Sequence, residues 1–354
     1  MNALLIPIYE PTERVLPFLK GFSKGDFDAF LVVDDGSGEA YRDIFDAVAK
    51  ETVFSVVSYD VNHGKGHALK HGLRELLRRY PDLDFVVTAD GDGQHIKPDI
   101  LAIRDAALST PGKVVLGARD FKDAPKKSAS GNIWSARYFR LATGVKIQDC
   151  QTGLRALPKE SFDLALYTYG ERFDYEMNFL ITASREFGLH EVTIHTIYED
   201  GNKGTHFRPV VDSLLIMRTP IAYLIVGLLS FIIDMGAFIF MTLAFPTSSH
   251  DPGVLFWCHF VARSFSLPFN YIMLEKVVFH HRFGFHASIW KFAILAYGSM
   301  MTGFWLSYAC TFFTSMLYLC KGIIDMVLGI AKYYLNLLLI FANRKFGRKT
   351  RALH

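Results

Sequence analysis

The stretch Thr88-Ala89-Asp90-Gly91-Asp92-Gly93-Gln94-His95 decides how this chain is read. It follows Phe85-Val86-Val87, an apolar run that predicts a buried strand. Two carboxylates two residues apart at the end of such a strand are well placed to hold a divalent cation. Hard cations take oxygen ligands and commonly bridge protein carboxylates to phosphates. Gly91 and Gly93 are small enough to bring the backbone close to whatever binds. A diphosphate is the kind of group that such a cation grips.

The pattern around this strand repeats. Strands are predicted over residues 3–7, 29–33, 53–59, 85–89 and 113–117, and helices over 12–22, 41–50 and 66–79. Alternating strands and helices argue for an α/β fold, a mainly parallel sheet flanked by helices. In such sheets ligands bind beyond the carboxyl ends of the strands. The polar clusters Tyr9-Glu10, Asp34-Asp35, Asp90 to Gln94 and Arg119 all fall at that end. Each has a plain reading when taken alone. Asp34-Asp35-Gly36-Ser37 is also an ordinary strand-to-turn junction, and the Asp90/Asp92 pair also fits a turn with side-chain-to-backbone bonds. Lys65 alone reads as a solvated loop residue, Arg155 as a fold-holding partner of a carboxylate, and Glu176 as half of a structural ion pair. Their convergence on one edge, rather than any single residue, predicts a site.

The chain has 354 residues, room for two domains. A formal net charge of +3 makes no case for nucleic acid. Charges run through the first part, whereas long apolar runs begin at Thr219. The four cysteines, Cys150, Cys258, Cys310 and Cys320, form no C-x-x-C pair, and three lie in or beside apolar runs. Free cysteine commonly fills apolar space, so neither a disulfide nor a zinc site is expected. Met1 leads straight into a strand, and no signal peptide is expected.

A bilayer-spanning helix needs about 20 apolar residues. Residues 221–245, 254–278, 292–316 and 323–342 meet that length. Lys203, Arg208 and Arg218 precede the first run, and residues 246–253 carry no Lys or Arg. Lys276, Arg282 and Lys291 mark the second loop, Lys321 the third, and Arg344, Lys345, Arg348, Lys349 and Arg351 the tail. Positive residues favour the cytoplasmic side, so both termini and the first domain are expected there. Residues 205–209 and those after them mix apolar and basic groups, which fits either an interfacial segment or a plain linker. Asp234, Arg263, Asp325 and Lys332 fall in or near the runs. Intramembrane charges either pair with one another or line a functional surface.

The ordered motifs Ile6-Pro7-Ile8-Tyr9, Val32-Val33-Asp34-Asp35-Gly36-Ser37, Asn62-His63-Gly64-Lys65-Gly66 and Asp90-Gly91-Asp92-Gly93-Gln94-His95 resemble those of family 2 glycosyltransferases. Gly117-Ala118-Arg119 and Asp149-Cys150-Gln151-Thr152-Gly153-Leu154-Arg155 narrow the resemblance to the dolichyl- and polyprenyl-phosphate sugar synthases. The apolar part is similar to the four-span GtrA-like membrane domain. The implied organisation is a cytoplasmic GT-A domain over 1–210 and an interfacial segment over 211–220. A four-helix transmembrane domain follows over 221–347, with a basic cytoplasmic tail over 348–354.

The resemblance implies a metal-dependent hexosyltransferase that uses Mg2+ or Mn2+. It would move one sugar, with inversion, from a UDP- or GDP-linked donor to a polyprenyl phosphate at the membrane. Pro7, Tyr9, Glu10, Asp34, Asp35, Lys65 and Asp90 would bind the donor nucleotide. Asp90, Asp92 and Gln94 would surround the metal, and Asp92, Arg119 and Lys127 would serve catalysis. Lys127 is the choice for the acceptor phosphate. A homo-oligomer or a flippase partner stays open. So do an inactive lipid-sugar transport or scaffold protein and a processive polysaccharide synthase, although no Q-x-x-R-W motif occurs.

Overall fold

The computed structural model describes residues 1–119, 132–133, 135–137, 139–140, 143–195, 218–245, 251–274, 276, 285–313 and 316–335. Lys127, residues 205–217 and the tail 348–354 lie outside the described residues. Contacts divide the chain into two units, one within Met1–Ile216 and one within Met217–Arg344.

The first unit is built on one sheet. Its strands are β1 (Asn2–Ile8), β2 (Ala29–Asp34), β3 (Ser55–Ser58), β4 (Phe85–Thr88), β5 (Val114–Arg119), β6 (Arg155–Pro158) and β7 (Leu189–Ile194). They lie in the order β3-β2-β1-β4-β6-β5-β7. The flanking helices are α1 (Val15–Lys20), α2 (Arg42–Glu51), α3 (Lys65–Arg79), α4 (Lys97–Ser109), α5 (Phe162–Tyr167) and α6 (Asp174–Glu186).

β1 to β4 pair in parallel, β6 runs antiparallel between β4 and β5, and β5 pairs in parallel with β7. The α/β expectation holds as a mixed, Rossmann-like sheet. β2 reads as a continuous apolar run because every residue in it is buried, as a strand covered on both faces requires. Successive side chains of β1 alternate between the two core layers. Leu5 joins Leu69, Leu73 and Leu76 of α3, while Leu4 and Ile6 join Val48 of α2 and Ile103 of α4.

β1 is the point where the strand order reverses, with β2 on one side and β4 on the other. Such a reversal opens a crevice beyond the carboxyl ends of the two diverging strands. Residues after Ile8 and after Thr88 border that crevice.

The second unit consists of α7 (Arg218–Ala244), α8 (Pro252–Met273), α9 (Phe285–Thr311) and α10 (Leu317–Leu335). Asp251 caps α8, accepting from the backbone N–H of Gly253 at 2.9 Å and Val254 at 3.3 Å, with Pro252 following. Among the described residues one helical stretch, Ile221–Ala244, is long and apolar enough to cross a membrane by length and composition.

Three of the charges expected in or near the apolar runs, Asp234, Arg263 and Asp325, meet inside this unit together with Lys321. Asp234 of α7 lies 2.8 Å from Lys321 Nζ and accepts from Ser266 Oγ at 3.0 Å. Arg263 of α8 reaches Asp234 at 3.5 Å and Asp325 of α10 at 3.6 Å. Lys321 also pairs with Asp325, one turn along α10. Lys321 is therefore not the loop charge that its sequence position implies. It sits in α10 at 1 % exposure, with its ammonium over the Phe238 ring.

Candidate active site

The Asp90-to-His95 segment leaves β4 and is tucked against β1. A Cβ on Gly91 would meet Ile8 Cγ1 at 2.6 Å and Pro7 O at 3.0 Å. This glycine therefore lets the motif approach the neighbouring strand. On its other side the motif abuts the turn before β6. A Cβ on Gly153 would fall 2.1 Å from Asp90 Oδ1, and Thr88 Oγ1 donates to Gly153 O at 2.9 Å. The β4–β6 register, Thr88 opposite Arg155, sets that proximity.

Asp90 and Asp92 sit in different electrostatic settings. Asp90 Oδ1 is 2.6 Å from Lys65 Nζ, and its Oδ2 is 3.3 Å from His95 Nε2. Burial opposes ionisation of Asp90, yet the Lys65 ammonium and His95 hold its carboxyl well below the usual range. Asp92 Oδ1 accepts from the Gln94 backbone N–H at 3.0 Å. Burial, followed by the charge of Asp90, pushes the Asp92 carboxyl up. A nearby cation would oppose that upward push on Asp92.

Among the described residues no group of three or more His, Cys, Asp or Glu side chains could hold a metal ion. The site's oxygen donors are few: Asp92, the Gln94 amide and, beside them, Asp90. That set fits Mg2+ or Mn2+, which commonly take one or two carboxylates and complete their shell with water and phosphate oxygens.

Asp34 and Asp35 end β2 next to Ile8 of β1. Asp34 Oδ1 accepts from the Ser37 N–H at 2.9 Å, and Glu10, at a φ of 47°, donates its N–H to Ser37 Oγ at 2.9 Å. Tyr9 hydrogen bonds to Glu10, which together with burial raises its phenol. Asp35 accepts from Tyr59 Oη at 2.6 Å, Asn62 Nδ2 at 3.1 Å and the Gly64 N–H at 2.9 Å. Its carboxylate fastens the Asn62-to-Gly64 loop to the sheet edge, and that loop delivers Lys65.

Arg119 ends β5 on the same edge. Its Nε is 2.5 Å from Asp149 Oδ2 and its Nη2 is 3.1 Å from Oδ1, a bidentate pair on a fully buried carboxylate. Arg155 has no carboxylate partner among the described residues. It donates instead to the carbonyls of Thr152 at 2.8 Å, Glu176 at 2.8 Å and Cys150 at 3.2 Å. Glu176, read from sequence as a structural residue, reaches Lys65 with both oxygens at 3.0 Å.

The structure thus brings Pro7, Tyr9, Glu10, Asp34, Asp35, Lys65, Asp90, Asp92, Gln94 and Arg119 to the carboxyl ends of β1, β2, β4 and β5 or to the loops beside them. Two contributors escaped the sequence reading of the site: Asp149, which sets Arg119, and Glu176, which sets Lys65.

Residues 4–163 match the profile of Glycosyl transferase family 2. The chain is 26% identical over 217 residues to the UDP-N-acetylglucosamine--dolichyl-phosphate N-acetylglucosaminyltransferase of Methanococcus voltae, covering 56% of this chain and 86% of that protein. It is 26% identical over 221 residues to glycosyltransferase AglJ of Haloferax volcanii, covering 60% and 68%. Among solved structures, glucosyl-3-phosphoglycerate synthase from Mycobacterium tuberculosis aligns at 20% identity with a TM-score of 0.45, covering 63% and 77%. The matched stretch spans the motifs from β1 to β6, and across it the chain is similar to family 2 glycosyltransferases.

Proposed function

We propose that this protein transfers a single sugar, with inversion, from a UDP- or GDP-linked donor to a polyprenyl phosphate at the cytoplasmic face of a membrane. One relative, named for dolichyl phosphate, supports the acceptor class. The observation that carries the membrane part is the inverted polarity of the second unit. Asp234 and Lys321 are 3 % and 1 % exposed, whereas Leu224, Phe240, Trp290 and Phe313 are 70 % or more exposed. A bundle in water would bury the second set and solvate the first. In hydrocarbon the arrangement is favourable, because apolar side chains meet lipid and charges meet one another.

In this reading all four helices of the second unit cross the bilayer. With Lys321 inside α10, residues 312–316 carry no Lys or Arg, which sharpens the charge asymmetry that puts both termini in the cytoplasm. A lipid acceptor would be held in the same membrane as the second unit.

The reaction forms a bond between an acceptor phosphate oxygen and the anomeric carbon as the bond from that carbon to the donor diphosphate breaks. The diphosphate leaves with the electron pair. An acceptor phosphate is already anionic near neutral pH, so no strong general base is needed. A divalent cation held by Asp92 and Gln94 would neutralise part of the charge on the leaving diphosphate. Arg119, fixed by Asp149, would supply a preorganised positive charge for the same group. Pro7, Tyr9, Glu10, Asp34 and Asp35 would line the donor nucleotide, and Lys127 would meet the acceptor phosphate.

The test is a donor panel. Membranes holding the protein, given labelled sugar nucleotides, undecaprenyl phosphate and Mg2+ or Mn2+, are expected to yield a labelled lipid extractable into organic solvent. Failure of every donor to label lipid rejects the transferase reading. A product that carries long polymer instead points to a processive synthase.

A further inference from the structure

Lys65 opens α3 and is surrounded by carboxylates. Its ammonium is 2.6 Å from Asp90 Oδ1 and 3.0 Å from each carboxylate oxygen of Glu176. Glu176 is 7 % exposed and rises from the first turn of α6. Burial pulls the Lys65 ammonium down, but the charges of Asp90 and Glu176 outweigh that and hold it above the usual range. Asp92 differs. Among the described residues no basic side chain forms an ion pair with it.

We propose that Lys65 is the resident cation of Asp90, anchored by Glu176, and that this divides the two aspartates of the motif. Asp90 is committed to the lysine, and Asp92 is the carboxylate left for a divalent cation. The inference rests on the reading that this site binds Mg2+ or Mn2+, and it adds Glu176 as a positioning residue.

The charges make the division quantitative. Asp90, Asp92 and Glu176 are three carboxylates, and Lys65 neutralises one. Two negative charges remain among these four side chains, with His95 beside Asp90 and the Arg155 guanidinium at the Glu176 backbone bordering the cluster. Partly buried groups interact strongly, since the local effective dielectric is well below that of water. A single added or removed charge in this cluster therefore shifts cation affinity by a readable amount.

The experiment measures Mn2+ binding to the full-length protein in detergent, with no nucleotide present, by electron paramagnetic resonance of free Mn2+. Lys65→Met adds a net negative charge and releases Asp90, so Mn2+ is expected to bind about tenfold tighter. UDP, titrated separately, is expected to bind more weakly because a cation has left the donor site. Glu176→Gln removes a negative charge, so Mn2+ is expected to bind about tenfold more weakly, with Glu176→Asp restoring it. A merely structural role moves Mn2+ and UDP affinity in the same direction.

Should Lys65→Met fail to fold, Lys65→Met combined with Glu176→Gln keeps the net charge of the unsubstituted site. It is then expected to bind Mn2+ more tightly than Glu176→Gln alone. Folded Lys65→Met with unchanged or weaker Mn2+ binding overturns the proposal. So does a double variant no tighter than Glu176→Gln. Absence of Mn2+ binding by the unsubstituted protein is a separate result, and it overturns the metal reading itself.

Discussion

The Arg119 guanidinium is clamped on the Asp149 carboxylate, Nε to Oδ2 at 2.5 Å and Nη2 to Oδ1 at 3.1 Å, and Asp149 is fully buried. Asp149 also accepts from the Gln151 N–H at 3.0 Å, so one carboxylate fixes both the arginine and the turn leading to Gly153. Planar two-point pairing gives geometric definition as well as energy.

Asp149→Asn keeps the shape but removes the charge. Breaking such a pair from one side leaves a partly buried charge uncompensated, and a loss of about 3 kcal/mol in stability is expected. Turnover is expected to fall with much less change in donor KM, if Arg119 acts chiefly on the leaving diphosphate. Denaturant unfolding and steady-state kinetics of the same preparation check both parts. Unchanged kcat with reduced stability would reduce Asp149 to a purely structural residue.

Gly153→Ala tests the packing that seats Asp90. The added methyl would lie 2.1 Å from Asp90 Oδ1, closer than any real contact allows. Asp90 or the turn must move, and overpacking of this kind typically costs about 1–3 kcal/mol. Turnover is expected to drop by more than tenfold in protein that still unfolds cooperatively. Retained activity would mean that Asp90 has freedom the packing does not indicate.

The strands that carry the site were legible because each is a short apolar run ending at or just before a charged residue, as in Phe30-Leu31-Val32-Val33-Asp34. β6 was not. Arg155-Ala156-Leu157-Pro158 has neither alternation nor an apolar run, and its Arg is buried only because three carbonyls receive it. The partner of Glu176 was out of reach for a different reason. Glu176 meets Lys65 across 111 positions of sequence, and spacing carries no information at that range. Lys321 looked like a loop charge because it lies near the end of an apolar run, and its burial depends on acids from two helices.

Cys150 offers a pH-dependent prediction in the soluble unit. Burial, then the charge of Asp149, pushes its thiol up to about 12. In the unfolded chain a cysteine ionises near pH 8.5. Below that value both states hold the proton and the thiol contributes no pH dependence. Above it the unfolded state loses the proton first, so stability falls as pH rises from about 8.5 towards 12. The limiting slope for one group is about 1.4 kcal/mol per pH unit. Cys150→Ala is expected to remove this slope, read from denaturant midpoints between pH 8 and 10. Thiol reagents are expected to label Cys150 only on unfolding. Fast labelling of the native protein at pH 8 would contradict the burial argument.

The ion cluster of the second unit gives the sharpest test of the bundle. Lys321 is shared by Asp234 and Asp325, and Arg263 approaches both carboxylates from α8 at 3.5 and 3.6 Å. Two cations and two anions drawn from α7, α8 and α10 therefore balance inside an apolar shell. Lys321→Met leaves two carboxylates facing one guanidinium. Loss of one member of a buried pair typically costs about 3–5 kcal/mol, because the remaining charge stays desolvated. A large fall in the thermal midpoint of detergent-solubilised protein is expected. Lys321→Met with Asp325→Asn restores the balance, leaving Asp234 with Arg263. Replacing a whole buried pair is often neutral, so the double variant is expected to recover most of the loss. The comparison separates charge from packing. If the second substitution recovers nothing, Lys321 matters through its stem and its place over Phe238 rather than through its charge.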